Sequence, residues 1–283
     1  MRLVRRAWPQ MSHAATRRVR VLSDIHLGVR ACDEQALARA VREIRDDPDC
    51  YWIGLGDVAD CVNKADKKRF SARSLADWIT VADIDDIVGA QVRRVNEVLN
   101  PIAGKCLGFL MGNHEEAIAK FYERDAYGAI VRGLVAAGAP DDIGLGYAGW
   151  IQVVADDGYG QQHVTTIYAH HGYGGGALLG GKALRLARLM ADNPDADIVL
   201  MGHVHSVLHT VQTVNRISRG RLVQRNRHGV ICGTFLKPSV DDHGPTYGEI
   251  AMYPPSPVAW PDLVLRPMAD NYASRARVVF HYT

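Results

Sequence analysis

The sequence has 283 residues, of which 47% are hydrophobic, so the chain can bury a sizeable core in one large domain or two small ones. Its 33 Lys and Arg residues nearly balance 31 Asp and Glu residues, and the formal net charge of +2 excludes a chain-wide attraction to nucleic acid or membranes. The five cysteines are scattered without a CxxC pair, which indicates neither a disulfide framework nor a thiolate zinc site.

The first 18 residues are basic, with Arg2, Arg5 and Arg6, and they lack the apolar run of a signal peptide. No later stretch is long and apolar enough to predict a membrane span. We therefore expect a loose basic leader over 1–18, followed by a single domain over 19–283. The protein is expected to be cytoplasmic and to bind no membrane.

Hydrophobic periodicity predicts alternating strands and helices over the first two thirds of the chain. In chain order these are strand 19–23, helix 33–46, strand 51–55, helix 75–99, strand 107–111, helix 116–135, strands 150–154 and 164–169, helix 181–191 and strand 198–201. A helical insertion is expected over 61–100, near the site, and the part from 206 to 283 is expected to be mainly β. The pattern predicts one α/β domain, or α+β if its β-rich end is counted separately.

Five of the predicted strands end in a loop that carries Asp, Asn or His. The residues are Asp24, His26, Asp57, Asp60, Asn113, His114, His170, His171, His203 and His205. Each alone is more often a turn, cap or surface residue than a ligand. Together they provide carboxylate, imidazole and amide donors without thiolate, at the sheet edge where ligands collect. Such donors suit Mn, Fe, Zn or Mg, and their number suffices for two ions that cleave a phosphate ester.

The same five blocks resemble the calcineurin-like metallophosphoesterase superfamily of phage and bacterial type, whose motifs are DxH, GDxxD, GNH(E/D), H and GHxH. The matching segments are 24–26, 56–60, 112–115, 170–171 and 202–205. The resemblance implies a four-layer αββα sandwich, in which two mixed β-sheets are flanked by helices. It also implies two divalent metal ions at a dinuclear centre. Manganese is expected, with Fe, Zn, Ni, Co or Mg as alternatives.

The resemblance further implies a set of metal ligands. One ion would be held by Asp24, His26, Asp57 and His205, and the other by Asp57, Asn113, His170 and His203, so that Asp57 bridges both. The adjacent histidines of the fourth block leave a choice, and we expect His170 to ligate because it follows the apolar run 167–169 directly. His171 would then hydrogen-bond a ligand or contact substrate.

His114 is expected to act on the leaving group. In the family this histidine faces the scissile phosphate and stabilises or protonates the leaving oxygen. Asp60 matches the residue that orients it in the protein-phosphatase branch, although a helix N-cap is an equally good interpretation. Protein phosphatases carry Arg where this chain has Cys61, which disfavours a phosphoprotein phosphatase.

Two basic clusters are candidates for binding a phosphate-rich substrate. Lys64 and Arg69 follow the second block, in a run that is more often a solvated helix start. The second cluster lies in a predicted hairpin after the last block and consists of Arg216, Arg219, Arg221, Arg225 and Arg227. Its arginines would follow a nucleic-acid backbone or would only solubilise an edge strand.

The motifs together predict a hydrolase that attacks phosphate esters with a metal-bridging hydroxide. A weaker similarity of 232–236 and 247–249 to phage and bacterial metallophosphoesterases favours phosphodiesters, either nucleotides or nucleic acid. The alternatives are a phosphomonoesterase of small molecules and a non-catalytic, metal-stabilised binding module. The pattern carries no signal for an oligomeric state.

Overall fold

A computed structural model describes residues 1–66, 70–176, 178–218, 220–240, 249, 254–269 and 275–283. The helices are α1 (Glu34–Asp46), α2 (Ile87–Leu99), α3 (Asn113–Tyr122), α4 (Ala126–Ala136) and α5 (Leu179–Asp192), with short 3-10 helices at Ala72–Ser74, Val81–Asp86 and Asn100–Lys105. The strands are β1 (Arg2–Trp8), β2 (Arg17–Leu22), β3 (Cys50–Gly54), β4 (Cys106–Leu110), β5 (Gly144–Gly146), β6 (Ala148–Asp156), β7 (Gln162–His170), β8 (Ile198–Met201), β9 (Val207–Ser218), β10 (Arg221–Cys232), β11 (Ala259–Leu265) and β12 (Ala276–Tyr282).

The strands form two six-stranded sheets. The first has the order β12-β11-β2-β3-β4-β5 and the second the order β1-β6-β7-β8-β10-β9. In the first sheet β2 to β5 run parallel, whereas β11 is antiparallel to both of its neighbours. In the second, the β6–β7 and β9–β10 pairs are antiparallel and the other pairs are parallel. Both sheets are therefore mixed, as the fold prediction requires.

Three clusters of buried apolar side chains define four layers. The first packs α1 to α4 against the first sheet and includes Leu37 and Phe109. The second lies between the two sheets and includes Ile53 and Ile167. The third packs α5 against the outer face of the second sheet, around Leu186. The predicted αββα sandwich is confirmed. Within the described ranges, no helix is both long and apolar enough to span a membrane.

The N-terminal segment differs from the expected loose leader over 1–18. Its residues 2–8 form β1, which pairs parallel with β6 along its whole length. Val4 and Trp8 are buried, and between them Arg6 donates from Nε to the backbone oxygen of Leu107 at 3.0 Å. Val4, Arg6 and Trp8 alternate with exposed residues, as in a half-buried strand. The expectation of a solvated leader was wrong because it rested on the charge of the arginines alone.

Two of the predicted helices are shorter or divided. The predicted helix 75–99 becomes α2, which begins only after Asp86, whose carboxylate caps it. The predicted helix 116–135 becomes α3 and α4, separated by Glu123 with a φ of 54° and by Asp125, which caps α4. Because a capping carboxylate satisfies the first free N–H groups of a helix, such residues mark boundaries that periodicity alone does not show.

A buried ion pair joins β2 to β11. Arg20 donates from Nε and Nη2 to the two carboxylate oxygens of Asp262, each at 2.8 Å. Its Nη1 also lies 2.5 Å from Glu43 of α1, and His281 Nε2 lies 2.9 Å from Asp262. Burial disfavours the ionised form of Asp262, but the hydrogen bonds from Arg20 and His281 outweigh it and lower the pKa of Asp262 to about 2. Arg20 and Asp262 thus join β2 and β11 to each other and to α1.

We expect Asp262→Asn to lower the free energy of unfolding by about 3 to 5 kcal/mol near pH 7, because the buried Arg20 loses the carboxylate that accepts two of its hydrogen bonds and keeps only Glu43 as a charge partner. The folded pKa lies below the unfolded value of about 3.9, so the pair stabilises the fold above that value and loses its effect as the pH falls toward about 2. Urea unfolding should therefore show a difference between the two proteins that shrinks at about pH 3. Asp85→Asn, at a carboxylate that is 98% exposed, is the control. Equal stability of Asp262→Asn and the wild type near pH 7 would contradict the expectation.

Candidate metal centre

The loops after β2, β3, β4, β7 and β8 meet at one edge of the sandwich, because these strands run in parallel within their sheets. Backbone bonds join neighbouring loops: His26 N donates to Asp57 O at 2.9 Å, and Gly202 N donates to His170 O at 3.4 Å. Three groups of side chains place their ligand atoms within 4.8 Å of one another. They are Asp24, His26 and His205; His26, Asp57 and His114; and Asp57, His171 and His203.

Five residues of this edge have left-handed backbone conformations, which non-glycine residues rarely adopt. They are Asp24 (φ 51°), His26 (53°), Asp57 (49°), His203 (68°) and His205 (45°). Each such residue costs on the order of 1 kcal/mol or more and persists only where its surroundings fix it. The fold therefore maintains strained backbone where these side chains must converge.

Asp57 lies between the groups. Its Oδ2 is 3.9 Å from His26 Nε2 and 3.4 Å from His171 Nε2, and its Oδ1 accepts from His114 N at 2.8 Å. Burial raises the pKa of Asp57, but the nearby imidazoles, first His114 and then His171, hold it well below its usual range. The carboxylate is therefore charged and faces both sides of the cluster.

On one side, His205 Nε2 lies 3.3 Å from Asp24 Oδ1 and 3.3 Å from His26 Nε2. On the other side, Asn113 Oδ1 lies 3.0 Å from His171 Nε2 and 2.6 Å from His203 Nδ1. Imidazole, carboxylate and amide oxygen donors that converge in this way fit a divalent cation of borderline or hard character. The donor set contains no sulfur, as the sequence predicted.

Hydrogen bonds fix the ring orientations of three histidines. His171 Nδ1 donates to Leu55 O at 2.7 Å, His114 Nδ1 donates to Asp60 O at 2.7 Å, and His26 Nδ1 donates to Asp60 Oδ1 at 3.1 Å. Because a carbonyl or carboxylate oxygen only accepts, each Nδ1 carries a proton, and Nε2 is the ring nitrogen that faces the cluster. This is the arrangement by which proteins orient metal-binding imidazoles.

The structure corrects the expected choice between His170 and His171. His171 is fully buried with Nε2 at the cluster, whereas His170 Nδ1 accepts from Gly172 N at 2.8 Å and its ring packs on Tyr147 at 5.7 Å. Strand alternation gives the reason, since successive side chains of β7 point to opposite faces. Ile167 and Ala169 face the space between the sheets, so the position two further on, 171, does as well.

Asp60 is placed between two histidines and does not cap a helix. Its Oδ1 lies 3.1 Å from His26 Nδ1 and 3.4 Å from His114 Nδ1. The residues that follow, 61–66, contain no helix. Burial raises the pKa of Asp60, and the hydrogen bonds from His114 and His26 outweigh this and lower it. The N-cap interpretation is therefore wrong.

Lys64 is turned away from the cluster, because its Nζ bonds Asp85 Oδ1 at 2.9 Å. Arg69, Lys67 and Lys68 lie outside the described residues, so the role expected of Arg69 stays a prediction.

Sequence reasoning also missed Glu115, which is 2% exposed and accepts four backbone N–H bonds, from residues 57, 58, 59 and 112, at 2.8 to 3.1 Å. Its third position in α3, typical of a capping box, was the available signal.

The predicted arginine hairpin is formed by β9 and β10, but its arginines differ in environment. Arg227 is 5% exposed and donates to the backbone oxygens of Met190, Asn193 and Ala196 at 2.7 to 2.9 Å, which satisfies carbonyls at the end of α5 and just beyond it. Arg225 pairs with Asp197. Arg221 is exposed, and Arg219 lies outside the described residues.

Residues 17–207 match the family model of calcineurin-like phosphoesterases, which covers more than half of the chain, and the chain belongs to this family. Membership and the convergent ligands support a metal-dependent phosphoesterase that acts on phosphate esters. No curated protein matches the chain.

Solved structures similar to the chain share little sequence with it. Wild-type Vps29 complexed with Zn²⁺ from Entamoeba histolytica is 11% identical with a TM-score of 0.39, over 94% of this chain and 98% of that one. A predicted phosphoesterase from Streptococcus pneumoniae TIGR4 is 10% identical with a TM-score of 0.31, over 94% and 99%. NAD nucleotidase from Haemophilus influenzae is 9% identical with a TM-score of 0.42, over 95% of this chain and 49% of that one.

We expect His171→Ala to abolish or strongly weaken Mn²⁺ binding, because its Nε2 faces Asp57 and Asn113. His170→Ala is the matched control and should retain binding, since its ring points away from the cluster. Titration calorimetry with Mn²⁺, on variants shown to be folded by circular dichroism, checks both. Loss of Mn²⁺ binding in His170→Ala together with retention in His171→Ala would reverse this assignment.

Proposed function

We propose that this protein hydrolyses phosphodiesters at a dinuclear metal centre. The observation that carries the proposal is the position of Asp57, whose carboxylate belongs to the group with His26 and also to the group with His171 and His203. A carboxylate shared by two sets of donors is what a pair of bridged ions requires. When bound, two divalent ions would activate a water and neutralise charge on the phosphate.

The proposed ligand sets follow from the groups around Asp57. Asp24, His26, Asp57 and His205 would hold one ion, and Asp57, Asn113, His171 and His203 the other. Manganese remains the expected metal, with iron, zinc, nickel, cobalt and magnesium as alternatives suited by the same donors. The left-handed backbone at Asp24, His26 and Asp57 supports a site that is formed before the metal binds.

His114 is proposed as the group that assists the leaving alcohol. Its Nδ1 is fixed by Asp60 O, and its Nε2 lies 3.9 Å from Asp57 Oδ2. Its side chain is 16% exposed, compared with 3% for His26, so it lies nearer the open side of the cluster, where a phosphate would enter. Asp60 is proposed to orient both rings.

The preference for diesters is supported by the charge at the mouth of the site. His205 and His114, whose side chains are 35% and 16% exposed, lie toward the open side of the cluster. Lys64, the basic residue expected near substrate, is paired with Asp85. Among the described residues, the partly exposed members of the three groups are imidazoles, which suit a singly charged diester, whereas a doubly charged monoester is better matched by Arg or Lys. A cytoplasmic location, and nucleic-acid binding through Arg221, stay predictions.

The proposal predicts that the Mn²⁺-loaded protein has a higher kcat/KM for bis(p-nitrophenyl) phosphate than for p-nitrophenyl phosphate, and that Asp57→Asn abolishes both activities. Release of p-nitrophenolate measures the rates. A higher kcat/KM for the monoester would favour the phosphomonoesterase alternative. Binding of two Mn²⁺ ions without turnover of either ester would favour the non-catalytic binding module.

We expect His114→Ala to retain both metals and to lose turnover, because its role is directed at the leaving oxygen. General acid assistance contributes about 10² to 10⁴-fold, so a thymidine dinucleotide, with an alkoxide leaving group, should lose about that much. Bis(p-nitrophenyl) phosphate should lose less, since p-nitrophenolate leaves without a proton. His209→Ala, in the hairpin, is the control. Equal losses for both esters would indicate electrostatic stabilisation in place of acid catalysis.

A further inference from the structure

The rings of Tyr147, His170 and Tyr173, beside the metal centre, lead us to infer that they form an aromatic platform whose exposed outer ring, Tyr173, stacks with the base of a nucleotide ester. This inference rests on the proposed phosphodiesterase function and specifies its substrate as an ester that carries a planar aromatic base. It also gives a role to His170, the histidine that turns away from the metal ligands.

The three rings are continuous. The Tyr147 centroid lies 5.7 Å from that of His170, and the Tyr173 centroid lies 6.4 Å from it at an interplanar angle of 64°. His170 is therefore in contact with both tyrosines. Separations of 4.5 to 7 Å with inclined planes are those of favourable aromatic contacts, so the three side chains support one another.

The platform is joined directly to the metal centre. The ring of Tyr147 packs edge-on against His171 at 5.3 Å, and the backbone oxygen of Tyr147 accepts from His171 N at 3.1 Å. On its other edge His171 faces Asp57 and Asn113. A phosphate held at the cluster would thus have an aromatic surface one side chain away.

The outer ring is exposed but held in position. Tyr173 is 49% exposed and lies in the glycine-rich loop 172–176. Arg185 of α5 donates to Gly174 O at 3.3 Å and to Gly175 O at 2.6 Å, and its guanidinium carbon lies 5.8 Å from the Tyr173 centroid. A cation at this distance from an aromatic ring is attracted to it. The contacts with Arg185 therefore hold the exposed Tyr173 ring in a defined position.

The chemistry of the surface favours a nucleobase over an aliphatic group. Bases stack on Tyr, His and Arg side chains regardless of sequence, and their polar edges then need hydrogen-bond partners. His170 Nδ1 accepts from Gly172 N, so in the neutral ring Nε2 carries the proton and is able to donate to a base edge. The tyrosine hydroxyls add polar groups at the margin. A flat ligand with a polar rim, joined to a phosphate ester, is a nucleotide.

The test uses two diesters with the same leaving group, thymidine 5′-(p-nitrophenyl phosphate) and methyl p-nitrophenyl phosphate, and the ratio of their kcat/KM values. In Tyr173→Ala this ratio should fall about tenfold, equivalent to about 1.4 kcal/mol and mainly through KM of the thymidine ester. Tyr173→Phe should keep the wild-type ratio, because it keeps the ring. Tyr159→Ala, at a tyrosine that is 96% exposed in the β6–β7 turn, is the matched control.

A second readout does not depend on turnover. Titration of the Mn²⁺-loaded protein with thymidine 5′-monophosphate and with inorganic phosphate should show that Tyr173→Ala weakens the first about tenfold relative to the second. Hydrolysis of both esters with a ratio that Tyr173→Ala leaves unchanged would overturn the platform and leave the proposed function standing. Failure of the wild type to hydrolyse either ester would overturn the proposed function, and the titration would then decide the platform by itself.

Discussion

The metal centre depends on one buried carboxylate. Glu115 accepts N–H bonds from three consecutive residues after β3 and from Gly112 after β4, so it fixes the loop of Asp57 against the loop of Asn113. Two glycines make this approach possible. A Cβ at Gly112 would lie 2.1 Å from Asp57 Oδ1, and a Cβ at Gly56, whose φ is 88°, would lie 2.5 Å from Gly112 N. Hydrogen bonds from backbone N–H groups to an ionised carboxylate are stronger than hydrogen bonds between two neutral groups.

Parallel strands bring the loops to one edge, but they do not by themselves aim the side chains. The aiming comes from left-handed backbone at Asp24, His26 and Asp57 and from hydrogen bonds to the far side of each ring, as between His171 and Leu55 O. The same strategy extends to α5, where buried Lys182 donates to Val204 O at 3.0 Å and so holds the loop of His203. The left-handed backbone costs stability locally, and the cores on either side of the sheets offset that cost.

The order of elements and the convergence of the five loops were predictable because apolar runs that end in Asp, Asn or His are local signals. Local signals did not suffice to choose between His170 and His171. The choice depends on which face of β7 points between the two sheets, and Ile167 and Ala169 indicate that face only once the inter-sheet core is identified. Arg227 is a similar case. In the sequence Arg227 belongs to a basic cluster, yet its guanidinium is buried against carbonyl oxygens at the end of α5. The pairing of β10 with β8 is what brings Arg227 close to α5.

The pairing of β1 with β6 has a consequence for how the chain folds. Arg2 pairs with Gly149, so β1 is synthesised before β2 to β5 of the first sheet and before its own partner, β6. An unpaired strand with Val4 and Trp8 on one face is a template for association with other chains. Arg5 and Arg6 lie between these apolar residues and Arg2 precedes them, and like charges on neighbouring copies repel. The charges that make the segment look like a solvated leader thus protect it during the interval in which it has no sheet to join.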